Sequence, residues 1–365
     1  MIMEKRLVEA FPAGEYLSSE LEARDWSQAD FAEILGRPTQ FVSEIISGKK
    51  EITRESASQI GAALGTSAAL WLNLQNSYLL SQQVKDKTTL VQLDHVRRRA
   101  RLNELAPLTV MRKRGFLKGD TLEELESEVM HLFRMDSLEG QSRVLAAARR
   151  TNVDEPMTPT QNAWLACAHA VAEDIETGPF DKKKLRKLAA SLSPSLRDNA
   201  VFGTLPTRFA EVGVRLVYVE AFPASKLDGA SFALNGDHQR PVIAISGRGK
   251  RLDKVLFTLL HEVAHVVNGD IDKGLVLHDE QSHTLGNEEA ANALAGEWAV
   301  PGGLPAHPSP IRAAWIEKVA SKAGIPPIVV IGKLQKEGAL DWRTQLVKGA
   351  PSVYNTLEEW NRRGV

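Results

Sequence analysis

Residues 255–267 read Val-Leu-Phe-Thr-Leu-Leu-His-Glu-Val-Ala-His-Val-Val, an apolar run interrupted by three ionisable side chains. Such a run has to be buried, and a buried histidine or glutamate needs a partner. The segment is expected to be a core helix, with Asp253 as its N-cap and Gly269 as its terminator. On a helix, positions i and i+4 share a face, so His261 and His265 can reach one metal ion. Glu262 stands beside them, where it could hold and deprotonate a metal-bound water. The HExxH pattern therefore points to a zinc peptidase. The plain alternative is a chance match or a hydrogen-bonded pair of core histidines.

Two histidines leave such a site incomplete, because a catalytic zinc usually has three protein ligands plus water. The next helix, expected over Asn287–Val300 and stopped by Pro301-Gly302-Gly303, offers candidates. Glu288 and Asn292 are spaced i, i+4, so both can face the HExxH helix. Glu288 is the candidate third ligand, and Asn292 a candidate hydrogen-bond partner of a ligand imidazole. Glu289 points about a hundred degrees away and is the second choice. Acids also favour helix N-termini for electrostatic reasons alone. The HExxH helix just upstream favours the ligand reading. The expected chemistry is metal-assisted amide hydrolysis, with Glu262 passing a proton from water to the leaving amine. A strand over Pro241–Ser246 is expected to present an edge to an extended substrate peptide. His278 and His283 are weak candidates for an oxyanion donor.

Composition narrows the alternatives. The 365 residues suggest two or three domains. A formal net charge of −1 excludes a global field drawing the chain to nucleic acid or membrane, so any nucleic-acid surface is local. The single cysteine, Cys167, excludes an intramolecular disulfide, and its Ala-rich helical setting suggests a buried, inert thiol. No run approaches a membrane span. Met1 to Ala10 mixes acid and base without the apolar core of a signal peptide, so a cytoplasmic location is expected.

Residues 13–83 read as five helices: Glu15–Arg24, Ser27–Leu35, Thr39–Ser47, Thr53–Leu64 and Ser67–Gln83. Gly36, Gly48 and Gly65 punctuate them. The second and third helices have the packing pattern of a helix-turn-helix. Ala32 is small where the helices cross, Gly36 makes the turn, and Phe31, Leu35, Val42 and Ile45 form the core. If the unit binds DNA, Thr39, Gln40 and Ser43 face the major groove, with Gln40 suited to adenine and Glu44 a weaker candidate for cytosine. Gln28, Lys49 and Lys50 are candidates for phosphate contacts. Residues 84–203 read as a helical connector, basic over Arg97–Arg101. It includes a capping box at Thr121-Leu122-Glu123-Glu124, a helix over Gln161–Glu176 and a loop over Thr151–Pro159. From 204 the pattern changes, with strands expected over Val214–Glu220, Gly229–Asn235 and Pro241–Ser246. The peptidase core is expected over 204–305 and a helical extension over 306–365, with helices at Ile311–Ala323 and Pro327–Glu337. The fold class is thus a mostly α helix-turn-helix domain and helical middle, followed by an α+β zincin-like domain.

Residues 12–15, 27–36, 48–53, 64–67 and 71–75 together resemble the HigA group of Xre-type antitoxins. Pro38 departs from that group, which more often has an N-cap Ser or Thr there. Residues 257–265, 288–295 and 299–301 resemble the ImmA/IrrE metallopeptidase family. The family often has a second acid two residues before the Asn, where this chain has Ala290, which supports Glu288 as ligand. The resemblance implies a regulator that binds operator DNA and cleaves a repressor or toxin partner, with zinc as cofactor; a homodimer is expected because helix-turn-helix proteins commonly read palindromic half-sites. A second reading is a non-enzymatic antitoxin or repressor whose zinc site is structural or sensory. A third has the N-terminal unit contact a toxin rather than DNA.

Overall fold

Prolines open α1 (Ala13–Glu22) and α3 (Thr39–Ile46), while side-chain caps open α2 (Gln28–Leu35), α4 (Arg54–Leu64) and α5 (Ala68–Lys85). Ser27 and Asp30 form a reciprocal capping box at α2, and Thr53 with Ser56 does the same at α4. Gly36 closes α2 in the left-handed region at φ 63°, a conformation open to glycine because it lacks Cβ. The computed structural model describes residues 10–140, 157–272, 274–279 and 286–363. The loop expected over Thr151–Pro159 falls largely outside them. The chain forms two compact units, residues 1–99 and 100–365, and the boundary lies within α6 (Lys87–Leu105).

The first unit is built on Leu17, Phe31, Ala32, Val42, Ile45, Ile60 and Trp71, all buried. Gly14 of α1 lies against the end of α3, where an added Cβ would sit 2.5 Å from the carbonyl oxygens of Ile45 and Ile46. That contact fixes the position of α3 from behind.

The second unit begins with α7 (Leu108–Lys113) and α8 (Leu122–Phe133), the latter opened by the Thr121/Glu124 capping box. Helix α9 (Pro159–Glu173) follows, then α10 (Lys182–Ser195) and α11 (Leu205–Glu211). Four strands, β1 (Arg215–Tyr218), β2 (Leu227–Ala233), β3 (Pro241–Ile245) and β4 (Val276–Asp279), form one sheet in the order β1-β3-β2-β4. β1 and β3 are parallel, with Arg215 opposite Val242 and Tyr218 opposite Ile245. β2 is antiparallel to both β3 and β4. β3 is apolar throughout and buried on both faces, and β1 is buried as well although it includes Arg215. One face carries α9, whose Trp164 indole donates to the Val219 carbonyl at 2.8 Å. The other carries α12 (Leu252–Asn268), the helix with the HExxH residues.

Helix α13 (Gly286–Ala299) packs on α12 through Ala291 and Ala295, both fully buried; side chains this small let the two helices approach closely. Helices α14 (Ala313–Ala323), α15 (Pro327–Lys336) and α16 (Tyr354–Arg363) complete the unit. The last segment is tied back to the core: Trp360 stacks on Phe202 at 5.1 Å, and Arg251 forms a β-bridge with Ser352.

Two expectations are corrected. Asp253 is not the N-cap of α12; Arg251 holds that position, and Asp253 sits buried in the first turn, accepting two hydrogen bonds from its guanidinium. β3 offers no edge to a peptide, because β1 and β2 pair with it on both sides; the edges of the sheet are β1 and β4.

Candidate metal centre and helix-turn-helix face

Helical phase brings His261 and His265 onto one face of α12. Their Nε2 atoms lie 2.9 Å apart, with the rings edge to face. Glu288, in the first turn of α13, reaches the same point: its carboxylate oxygens are 3.1 Å from His261 Nε2 and 3.5 Å from His265 Nε2. All three residues are buried, and they form a group able to hold a metal ion. Glu289, one position on, is exposed.

A metal ion fits this donor set. In a tetrahedral site with bonds of about 2.0–2.2 Å, neighbouring ligand atoms stand roughly 3.3–3.6 Å apart. The separations here, 2.9 to 3.5 Å, describe the same cluster slightly contracted. The tautomer also suits it. His265 Nδ1 lies 2.9 Å from the buried carboxylate of Asp270, an arrangement that places the proton on Nδ1 and leaves the Nε2 lone pair facing inward. Sequence reasoning missed Asp270. Its signal is the helix terminator: Gly269, at φ 82°, turns the chain back so that the next residue returns beneath His265.

Glu262 points to the sheet side of the helix. It is fully buried, and neither carboxylate oxygen has a hydrogen-bond partner. Burial pushes its carboxyl well above the usual range; the nearby Ser231 hydroxyl opposes this, while Glu288 and Asp228 add to it. Strand β2 can lie this close because residue 229 is glycine. A Cβ there would meet Glu262 Oε1 at 2.9 Å, Thr258 Cγ2 at 2.9 Å and the Ala244 carbonyl at 3.1 Å. Gly229 and Ser231 were not singled out from sequence. Burial lowers the proton affinity of His261, and the side chains of Glu288 and Asn292 pull the other way. Asn292 is half-buried and close enough to act on that ring. His283 and the side chain of His278 lie outside the described residues.

In the N-terminal unit, Gln28, Thr39, Gln40, Ser43, Lys49 and Lys50 are all exposed. Gln40 donates to Glu44 at 2.8 Å, and Lys50 lies 3.6 Å from the other Glu44 oxygen. Glu44 is thereby partly neutralised, and Gln40 is held along α3. Pro38 opens α3 without a side-chain cap. Arg37, not anticipated, bridges to Glu55 and Gln59 and lies over the Phe41 ring at 5.4 Å, bracing the turn.

The two units thus define a class: a helix-turn-helix module joined to an α+β domain with an HExxH helix. Residues 17–71 match a family described as Helix-turn-helix, and residues 211–334 match the IrrE N-terminal-like domain. The chain therefore combines a member of the helix-turn-helix family with an IrrE-like domain. Over 72 residues it is 29% identical to the uncharacterized HTH-type transcriptional regulator YddM of Escherichia coli (strain K12), covering 20% of this chain and 77% of that protein. An addiction module antidote protein of the HigA family from Coxiella burnetii is 30% identical, covering 23% of this chain and 94% of that one, with a TM-score of 0.22. The antitoxin HigA of Pseudomonas aeruginosa, solved with the higBA promoter, is also 30% identical, covering 24% and 94%, with a TM-score of 0.22.

Proposed function

We propose that this protein is a DNA-binding transcriptional regulator whose IrrE-like domain is a zinc-dependent peptidase acting on a regulatory partner protein. The observation that carries the peptidase reading is the juxtaposition of three convergent ligands with the unpartnered Glu262 carboxylate on the same turn of helix. His261, His265 and Glu288 would hold the zinc, which when bound supplies Lewis acidity toward water and an amide carbonyl. Glu262 accepts the proton of the attacking water and returns it to the leaving nitrogen. Asp270 and Asn292 orient the two imidazoles. An extended peptide can add to the edge of β4, whose residue His278 pairs with Gly229, the strand position against Glu262.

DNA binding is supported by the helix-turn-helix match and by the regulator relative. Thr39, Gln40 and Ser43 face the major groove, while Gln28 and Lys49 contact phosphates. The expected assembly is a homodimer on paired half-sites, and the exposed Leu80, Val84, Val91 and Val96 supply apolar surface for it. The partner protein is a repressor or a toxin. One observation favours a second, non-enzymatic reading: His261, Glu262, His265 and Glu288 are all enclosed, as in a structural or sensory site.

The test combines metal analysis with turnover of a quenched fluorescent peptide library by the full chain. The expected result is about one zinc per chain, lost in His265→Ala and kept in Glu262→Gln, with turnover abolished in both. Turnover persisting in Glu262→Gln would remove Glu262 as the base. Stoichiometric zinc with no turnover by the parent chain would establish the structural or sensory reading.

A further inference from the structure

A cavity of about 600 Å³ adjoins the HExxH helix. Its floor is apolar, formed by Leu256 and Val329 among others. Phe257 makes one wall, and its ring centroid lies 6.3 Å from that of His261. Thr258 also lines it, beside the position where Gly229 meets Glu262. The cavity approaches the candidate metal centre through Phe257 and Thr258; His261, Glu262, His265 and Glu288 are not among its lining residues.

The lining carries four cations, Arg248, Lys254, Lys333 and Lys336, and two carboxylates, Asp228 and Asp253, the latter held by Arg251 at 2.6 Å. Arg248 and Lys333 already have partners, Asp228 at 3.5 Å and Glu337 at 3.2 Å. Lys254 and Lys336 pair with no carboxylate among the described residues. Each lies over an aromatic ring instead: Lys254 Nζ is 5.2 Å from the centroid of Trp342, and Lys336 Nζ is 6.0 Å from that of Phe257. An ammonium group resting on a ring face keeps its N–H donors available to an anion. Lys254 is also hemmed in from below, since a Cβ on Gly249 would stand 2.9 Å from its Cδ. Trp342 is 53% exposed, an unusual position for so large an apolar ring and one typical of a contact residue. Lys336 and Trp342 both follow residue 334, where the match to the IrrE-like domain ends. The rim is thus shared between the matched domain, which holds Lys254, and the segment after it, which brings Lys336 and Trp342.

We propose that the cavity is a subsite for a carboxylate carried by the peptide substrate, bound by Lys254 and Lys336 while Trp342 covers the aliphatic part beside it. An apolar floor under two unpaired ammonium groups suits an anion on a hydrocarbon stem better than a small, fully hydrated anion. The carboxylate is either an acidic side chain near the scissile bond or the C-terminus of the peptide. The inference rests on the peptidase reading for what the ligand is, so the test measures binding, not cleavage.

The experiment uses the full chain carrying Glu262→Gln, in which the peptide persists whether or not the parent cleaves it. Fluorescein-labelled alanine-based peptides with a central glutamate are compared with their glutamine counterparts by fluorescence anisotropy, each with a free or an amidated C-terminus. A carboxylate is expected to tighten binding about tenfold. Adding Lys254→Gln and Lys336→Gln together should erase that preference and leave the affinity of the amidated glutamine peptide unchanged, which also reports an intact fold. Dependence on the central glutamate assigns the side chain, and dependence on the free terminus assigns the C-terminal carboxylate. Equal affinity for all the peptides, or a preference that survives the double substitution, would overturn the proposal.

Discussion

Removing the Asp270 carboxylate should weaken metal binding without touching a ligand. Its Oδ2 lies 2.9 Å from His265 Nδ1, and the residue is only 5% exposed, so the contact is a charge-assisted hydrogen bond shielded from water. Losing it frees the imidazole to rotate or to change tautomer and lowers the basicity of Nε2. Such outer partners are typically worth 10–100-fold in metal affinity, which is about 1.4–2.7 kcal/mol. Asp270→Ala should therefore raise the zinc dissociation constant by that factor in a competition titration against a chromogenic chelator. Asp270→Asn keeps an acceptor oxygen but not the charge, and should fall between. Asp272→Ala is the control: it lies in the same turn, but its side chain is 60% exposed and faces His238 at 3.3 Å. An Asp270→Ala protein binding zinc within about twofold of the parent would refute the reasoning, provided that His265→Ala loses it.

Gly229→Ala should cost about 1–3 kcal/mol, because its Cβ has no room between Glu262, Thr258 and the Ala244 carbonyl; a thermal midpoint equal to that of the parent would contradict this packing. Burial pushes the Cys167 thiol far above its ordinary range, so the native protein at pH 8 should resist a thiol reagent and release one reactive thiol per chain in denaturant. Rapid reaction in the native state would place that helix elsewhere. Hydrogen bonds from the Ser27 side chain and backbone hold the Asp30 carboxyl below its ordinary value of 3.8. A depressed pKa contributes stability that is present above the ordinary value and lost as pH falls through the lowered one. Ser27→Ala should therefore lower the thermal midpoint of the N-terminal unit by most near neutral pH, with the gap to the parent narrowing on acidification. A gap constant with pH would exclude the coupling.

The parts of the molecule legible in the sequence are those set by local rules. The capping boxes at Ser27, Thr53 and Thr121 each join residues three apart, so three letters of sequence report three helix starts. Helical phase alone separates Glu288, turned to the histidines, from exposed Glu289. What escaped depends on distant pairing. Val276–Asp279 has little strand character of its own and becomes β4 by hydrogen bonding to β2. Pro241–Ile245 is strand-like wherever it sits, but whether it lies at an edge depends on β1, which reaches it by a parallel crossover. Gly229 and Ser231 gain their importance from a helix about thirty residues later, a contact no periodicity encodes.

The sandwiching of β2 between two helical layers has a further consequence. Gly229 and Ser231 face Glu262, while Ala230 and Phe232 are buried with α7, α8 and α9 on the opposite side. Successive residues of a strand share one backbone and point opposite ways. Phe232, stacked with His169 at 5.9 Å, therefore cannot shift without moving Ser231. The middle helices thus help to place Glu262, the base of the proposed reaction, and substitutions around His169 should be felt there.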